Sequence, residues 1–305
     1  MLSVFHNIRG VARYEREMLL RTTKFRILGG IGVSVPVLLG IGLAIAEANG
    51  AELPVGIDSY IPFYVYSFLQ AIVIAFIVGD FRAADEQANI YEVVAGRPIS
   101  TAELVAGKYM GIAGGLFYLS LGVLILTLAI QAAKISITGN PFTIEPYIGY
   151  LLLMNLPALI FMSSVTFFLG ALLRRQTAVA LIVIGYLLAV LFFLGRRYNG
   201  IYDFGAFYAP LYYSDLIGLG DITQVGLQRL FYVLLGLGFF GLSIDRYPRL
   251  AHSMLARWFG RACALSGFIL AAGFYHVMDT TAQDSRAYRR SLLRHQEAVV
   301  HIPVP

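Results

Sequence analysis

Seven stretches of this chain are apolar enough to cross a bilayer, and that limits its possible folds more than any motif does. They run over about 27–46, 60–79, 109–130, 148–173, 177–195, 229–245 and 262–278. A spanning helix needs roughly 20 mainly apolar residues to match the hydrocarbon thickness. The sixth, "LFYVLLGLGFFGLSI", is the shortest, and it is uncharged from Leu230 to Ile244. Inside hydrocarbon every backbone amide needs an internal partner, so each stretch is predicted to be helical. Composition agrees: 13% of the residues are charged, about half the roughly 25% of a soluble domain. The expected fold is an all-α polytopic membrane protein of six transmembrane helices plus a seventh. Pro36, Pro62 and Pro157 are expected to bend their helices, with Pro62 beginning one as the alternative. The single cysteine, Cys263, excludes an intramolecular disulfide and a cysteine-based zinc cluster.

Lys and Arg placement predicts the orientation. The N-terminal segment and alternate loops carry fifteen positive residues, among them Arg9, Arg13, Lys108, Arg175 and Arg261. The opposite loops carry four: Lys134, Arg196, Arg197 and Arg229. The N-terminus is therefore expected in the cytoplasm, and localisation in the bacterial cytoplasmic (inner) membrane. Seven spans put residues 279–305 outside, whereas a failed seventh crossing would keep Arg286, Arg289, Arg290 and Arg294 inside. The tail has Tyr288, Leu292 and Leu293 at helical spacing, and its "AVVHIPV" then reads as β-like.

Residues 1–26 read as an amphipathic helix at the cytoplasmic interface. Phe5, Ile8, Val11 or Ala12, Ala12 or Glu15, and Leu19 recur at mixed three- and four-residue spacing, and Arg9, Arg13, Arg16 and Arg21 occupy much of the rest. Such a helix lies at the lipid surface with its arginines toward phosphates; a plain basic flank that sets topology is the alternative. A signal peptide is disfavoured because its basic region would run 26 residues before the apolar core.

The segment between the second and third stretches is more structured than a tether requires. It reads "IYEVVAGRPISTAELVAGKYMG" from Ile90 to Gly111. Pro98 discourages a helical Arg97 and so ends any helix from Tyr91. Ser100-Thr101-Ala102-Glu103 matches a capping box, with Ser100 as N-cap and Glu103 reaching back. A second helix is predicted from there through Gly107 and Lys108 into the third span.

That segment, with "FRAADEQAN" before it, resembles the cytoplasmic loop in membrane subunits of ABC transporters of the ABC-2 type. Asp80-Phe81 and Asp85-Glu86 match the end of the family's second span, and Glu92 its following helix. Pro98-Ile99-Ser100 match the turn, and Gly107-Lys108 the opening of the third span. The likeness covers roughly residues 1–245, with about 30 residues of specific motif. It implies that residues 80–108 form a coupling loop docking on an ATPase subunit, through Tyr91, Glu92, Arg97, Pro98, Ile99, Ser100, Glu103 and Lys108. It further implies two ATPase copies, which bind ATP and Mg, and a second permease copy or paralogue. The first, second and fifth spans would then line the subunit interface. No nucleic-acid partner is expected.

The outer loop, 196–229, carries a weaker likeness. "FYAPLYYSDLIGLGD" is similar to the loop of permeases that belong to proteins carrying a zinc-aminopeptidase-like domain. Tyr213-Ser214-Asp215 and the Gly-rich turn carry it, and Tyr208 and Tyr212 join them as outer-gate candidates. The five histidines include no H-E-x-x-H pair, so neither that metal site nor its general base is present. The resemblance leaves room for a relative that continues past "HIPVP" into an extracytoplasmic domain. The loop's aromatics are expected either to anchor at the interface or to form short re-entrant helices at the exit of a path.

Neither an ATPase nor another enzyme is expected in this chain. Gly107-Lys108 lacks the rest of a phosphate-binding loop, with Ala102 where its first glycine belongs. "GLGFFG" at Gly236–Gly241 lies inside an apolar span, where its glycines suit helix packing, as do Gly111 and Gly115. Gln70 and Asn155 are the clearest polar residues inside spans, and no chain of buried carboxylates is read that could drive a proton-coupled carrier. The expected function is a permease subunit, energised by a separate ATPase, that exports or extracts an amphipathic substrate. The alternatives are a permease-derived part of an ATP-driven assembly acting mechanically on extracytoplasmic proteins or peptides, and a membrane enzyme or scaffold. In this reading residues 27–245 are the permease domain, 246–261 a linker and 262–278 the seventh span.

Overall fold

The computed structural model describes residues 2–51, 53, 56–79, 99–138, 143–173, 175–197, 200–209, 211, 213, 218–220, 222–247 and 254–300. Among them the chain is an all-α polytopic membrane protein: one N-terminal helix and seven helices long and apolar enough to span. These are α1 (Leu2–Arg21), α2 (Thr23–Ala48), α3 (Ile57–Val78), α4 (Thr101–Thr138), α5 (Glu145–Leu172), α6 (Gln176–Leu194), α7 (Ile222–Arg246) and α8 (Met254–Val300). The spans alternate in direction. The starts of α2, α4, α6 and α8 share the end that carries α1, and those of α3, α5 and α7 share the opposite, distal end.

Burial sorts the spans into a centre and a rim. In their most apolar windows 61% of α3 and 67% of α5 is buried, against 22% for α2, 28% for α6 and 17% for α8. Ile74 and Val78 of α3 and Leu159 and Met162 of α5 fill the main core. Of the three spans expected at a subunit interface, the first and fifth keep broad free faces, whereas the second is mostly enclosed by its own chain.

At 38 residues, α4 is about 57 Å long, well beyond a hydrocarbon layer of about 30 Å. Two helices line it in succession. Asn7 bonds Glu103, Val11 packs on Gly107, Ala12 on Gly111 and Leu19 on Gly115, so α1 runs parallel to the first turns of α4. Beyond Thr22, Gly29 packs on Leu119 and Gly40 on Ile130, so α2 continues alongside the remainder. The expected interfacial helix is therefore also a packed helix. Val11, Ala12 and Leu19 pack on α4, while Phe5, Arg9, Arg13 and Arg21 stay exposed.

The local signals act as read in most places. Ser100 Oγ accepts the Glu103 amide at 3.2 Å, and Glu103 Oε2 accepts the Ser100 amide at 3.3 Å, closing the capping box. Pro36 and Pro62 lie inside continuous helices, so Pro62 does not begin one. In α5 the chain widens to a π-helical turn over Leu151–Asn155, two residues ahead of Pro157. A wider turn relieves the clash of a proline ring with the preceding carbonyls.

The seventh stretch grows at both ends. α8 begins at Met254, inside the expected linker, and continues to Val300. Residues 298–300 are thus helical, and the β-like reading of the tail is corrected there. A lone strand leaves its amides unpaired, whereas extending a helix satisfies them within the segment. Packing against α7 is antiparallel and close. A Cβ on Gly241 would lie 2.5 Å from the Gly260 oxygen, and one on Gly267 2.5 Å from the Gly238 amide nitrogen. Arg261 and Asp245 pair at 3.0 Å at the α1 end, so the tail leaves from the distal end.

Candidate functional site

At the α1 end the chain builds a rigid entry into α4. Tyr91, Glu92, Arg97 and Pro98 lie outside the described residues. Ile99 and Ser100 stand half-buried at the cap. Glu103 is used within the chain, accepting both the Ser100 amide and the Asn7 side-chain amide at 3.0 Å. Lys108 is buried and donates to Glu15 at 2.8 Å, their side chains 6% and 13% exposed. Within the chain, Glu103 and Lys108 both hold α1 on α4. Arg16 stacks over Tyr118 at 5.6 Å on the same seam. Sequence pattern found the charges but not their pairing, because a contact across 93 residues leaves no periodicity.

At the distal end, residues 200–209 fold into a compact cap seated among the helices. Phe204 and Phe207 are buried rather than lipid-facing, which corrects the interfacial-anchor reading for these two. Phe204 stacks on Tyr186 of α6 at 5.6 Å, and Phe207 meets Tyr64 of α3 edge-on at 5.5 Å. Residues 201–209 form turns and bends without an α-helix. The cap is organised around Asp203, whose carboxylate accepts the amides of Phe207 at 2.8 Å and Tyr208 at 2.7 Å. Ala206 adopts the left-handed conformation (φ 57°) to close this turn. Burial pushes the Asp203 carboxyl up, and the Arg229 guanidinium and the cap's own amides pull it part of the way back.

The cap is held mainly from one helix. Arg229 of α7 donates to the Asp203 and Phe204 carbonyls, each at 2.7 Å, while Gln228 donates to Gly200 and Tyr232 to Ile201. Arg229 is 2% exposed, so these carbonyls replace its water. Among the outer-gate candidates, Tyr208 donates its hydroxyl to the Leu191 carbonyl of α6, within the π-helical turn Val190–Leu194. The Tyr213 amide donates to the Tyr150 hydroxyl at 3.1 Å. Tyr212, Ser214 and Asp215 lie outside the described residues. Sequence reading missed Asp203 and Arg229 as a pair. The available signal was a lone carboxylate between Gly200 and Gly205 in an otherwise aromatic loop.

A second buried charge group joins three helices at the same end. Lys134 of α4 meets Glu47 of α2 at 2.6 Å and Asp58 of α3 at 3.0 Å. Lys134 and Arg229, counted as outer-loop charges, are thus within the protein with acceptors of their own. Among the described residues Glu47, Asp58 and Asp203 lie at the distal end, while the half-buried carboxylates Glu15, Glu103 and Asp245 lie at the α1 end. Inside the bundle, Asn155 donates to Ser67 and to the Phe63 carbonyl, and Gln70 donates to Ser120 at 3.1 Å. These bonds tie α3 to α4 and α5 among buried side chains. No protein-family model matches the chain, and no curated protein matches it either.

Proposed function

We propose that this chain is the transmembrane subunit of an ATP-driven transporter of the ABC-2 type, moving an amphipathic substrate. The carrying observation is the entry into α4. A capped start at Ser100 leads without a break into a 38-residue helix, and α1 is fixed to its first turns by the Lys108–Glu15 pair. A push on the segment before Ser100 would pass into a rigid two-helix unit and on toward the distal end. ATP and Mg would bind in a separate subunit, and a second copy would complete the path through the free faces of α2 and α6. With Lys134 and Arg229 paired inside the protein, the loop charges of the distal end reduce to Arg196 and Arg197, which favours the α1 end as cytoplasmic.

One observation favours the mechanical alternative. α8 continues 22 residues past its apolar stretch, which ends at Met278, and that is about 33 Å of helix. Such a shaft could carry motion to a protein outside the membrane.

Purification of the tagged full chain from its native membrane tests the proposal. It should bring down a stoichiometric ATPase, and a photo-crosslinker at Ile99 should label that subunit. A preparation free of ATPase and of label overturns the proposal. ATP turnover stimulated by an amphipathic small molecule supports transport, and stimulation only by an outer protein supports the mechanical reading.

A further inference from the structure

The cap at residues 200–209 has two kinds of attachment, and they divide by helix. Its internal bonds run to Asp203, whose carboxylate takes the Phe207 and Tyr208 amides, so the cap keeps its shape from its own atoms. Four side-chain bonds to its carbonyls come from three residues on one face of α7: Gln228, Arg229 and Tyr232. Toward α3, α5 and α6 the contacts run ring against ring through Phe204 and Phe207, together with a side-chain hydrogen bond from Tyr208 to Leu191.

We propose that the cap is a stopper carried by α7: when the distal end opens, it parts from α3, α5 and α6 while staying folded and bonded to α7. Arg229 is the carrier's grip. Separating it from the Asp203 and Phe204 carbonyls would strand a buried guanidinium, whereas the aromatic faces come apart without orphaning a polar group. The opposite side departs from regular helix. α5 and α6 have π-helical turns at Leu151–Asn155 and Val190–Leu194, and the Tyr208 ring rests on Gly195 at the end of the second. Such turns need less rearrangement to bend than a regular helix does. Tyr208 is then the latch, a side-chain hydrogen bond to α6 that opening must break.

The test compares two reporters in the full chain, in lipid nanodiscs so that both ends meet solvent. In a Cys263→Ser background, Phe207→Cys reports the face toward α3, and Ile201→Cys the face toward α7. Each is labelled with a charged maleimide, with and without Tyr208→Phe. Loss of the latch should raise the rate at position 207 about tenfold, the size expected for one net hydrogen bond, and leave position 201 within twofold. Equal acceleration at both positions would mean that the cap unfolds or leaves α7, and would overturn the proposal. No acceleration at either would show that Tyr208 latches nothing, and would overturn it as well. Both outcomes are read without an ATPase partner, so they stand apart from the transporter proposal.

Discussion

Glu15 and Lys108 meet at 2.8 Å although 93 residues separate them, and both are largely shielded from solvent. The pair sits between α1 and α4, one residue from Gly107, where the Val11 side chain packs. A buried ion pair of this kind adds little net stability over a well-packed apolar pair, but half of one is costly.

Lys108→Met alone should therefore destabilise the protein by about 3 kcal/mol, and Glu15→Leu alone by a similar amount. The double variant should recover most of the loss. Thermal unfolding of the four proteins in one detergent gives the cycle, and additive losses would mean that the residues do not interact.

Gly111 and Gly114 make a matched contrast on one helix. A Cβ at Gly111 would lie 2.6 Å from the Ala12 carbonyl oxygen, while at Gly114 nothing lies within 4 Å. Gly114→Ala should be neutral, or stabilising by up to about 1 kcal/mol from helix propensity. Gly111→Leu should cost about 2 kcal/mol or more as α1 is forced away, and a disulfide between cysteines at Asn7 and Glu103 should then form more slowly. Equal effects of the two substitutions would contradict the packing of α1.

At the α7–α8 seam, Gly267→Val should separate two helices whose backbones touch. A cysteine pair replacing Asp245 and Arg261, which now meet at 3.0 Å, should cross-link readily in the parent chain and poorly in the variant. Undiminished cross-linking would show that the close approach at Gly267 is not needed.

Asp203 predicts an acid effect of definite sign. Burial holds its carboxyl above the ordinary range, so the folded chain takes up this proton at a higher pH than the unfolded one. Its contribution to stability therefore grows as pH falls through the raised value, and levels off below about 3.9. Asp203→Asn should remove that increment from a stability–pH curve, and an unchanged curve would place the carboxyl in water.

The two chain ends should face opposite sides of the membrane. In a Cys263→Ser background, Ser291→Cys should react with an impermeant maleimide in intact cells, and His6→Cys only after permeabilisation. Labelling of both only after permeabilisation would mean that α8 does not cross.

The helices were readable because hydrocarbon permits few alternatives. From Leu230 to Ile244 no residue is charged, and a backbone in lipid must bond to itself, so span and helix follow together. The capping box at Ser100 and Glu103 was equally legible, since it is satisfied within four residues. Less legible was the tail, where local β preference at Val299 and Val300 met no strand among the described residues and helix continuation prevailed.

What sequence alone determined, then, is set by solvent and by near neighbours: seven spans, their caps, and glycines fit for close packing. Tertiary structure decided where the charges went. Arg229 reads as the polar edge of a span until the fold brings the Asp203 and Phe204 carbonyls to it. Lys134 reads as a loop cation until α2 and α3 supply Glu47 and Asp58. Burying a charge is favourable only when its partners arrive from elsewhere in the chain. A one-dimensional pattern carries no record of which distant residues those are.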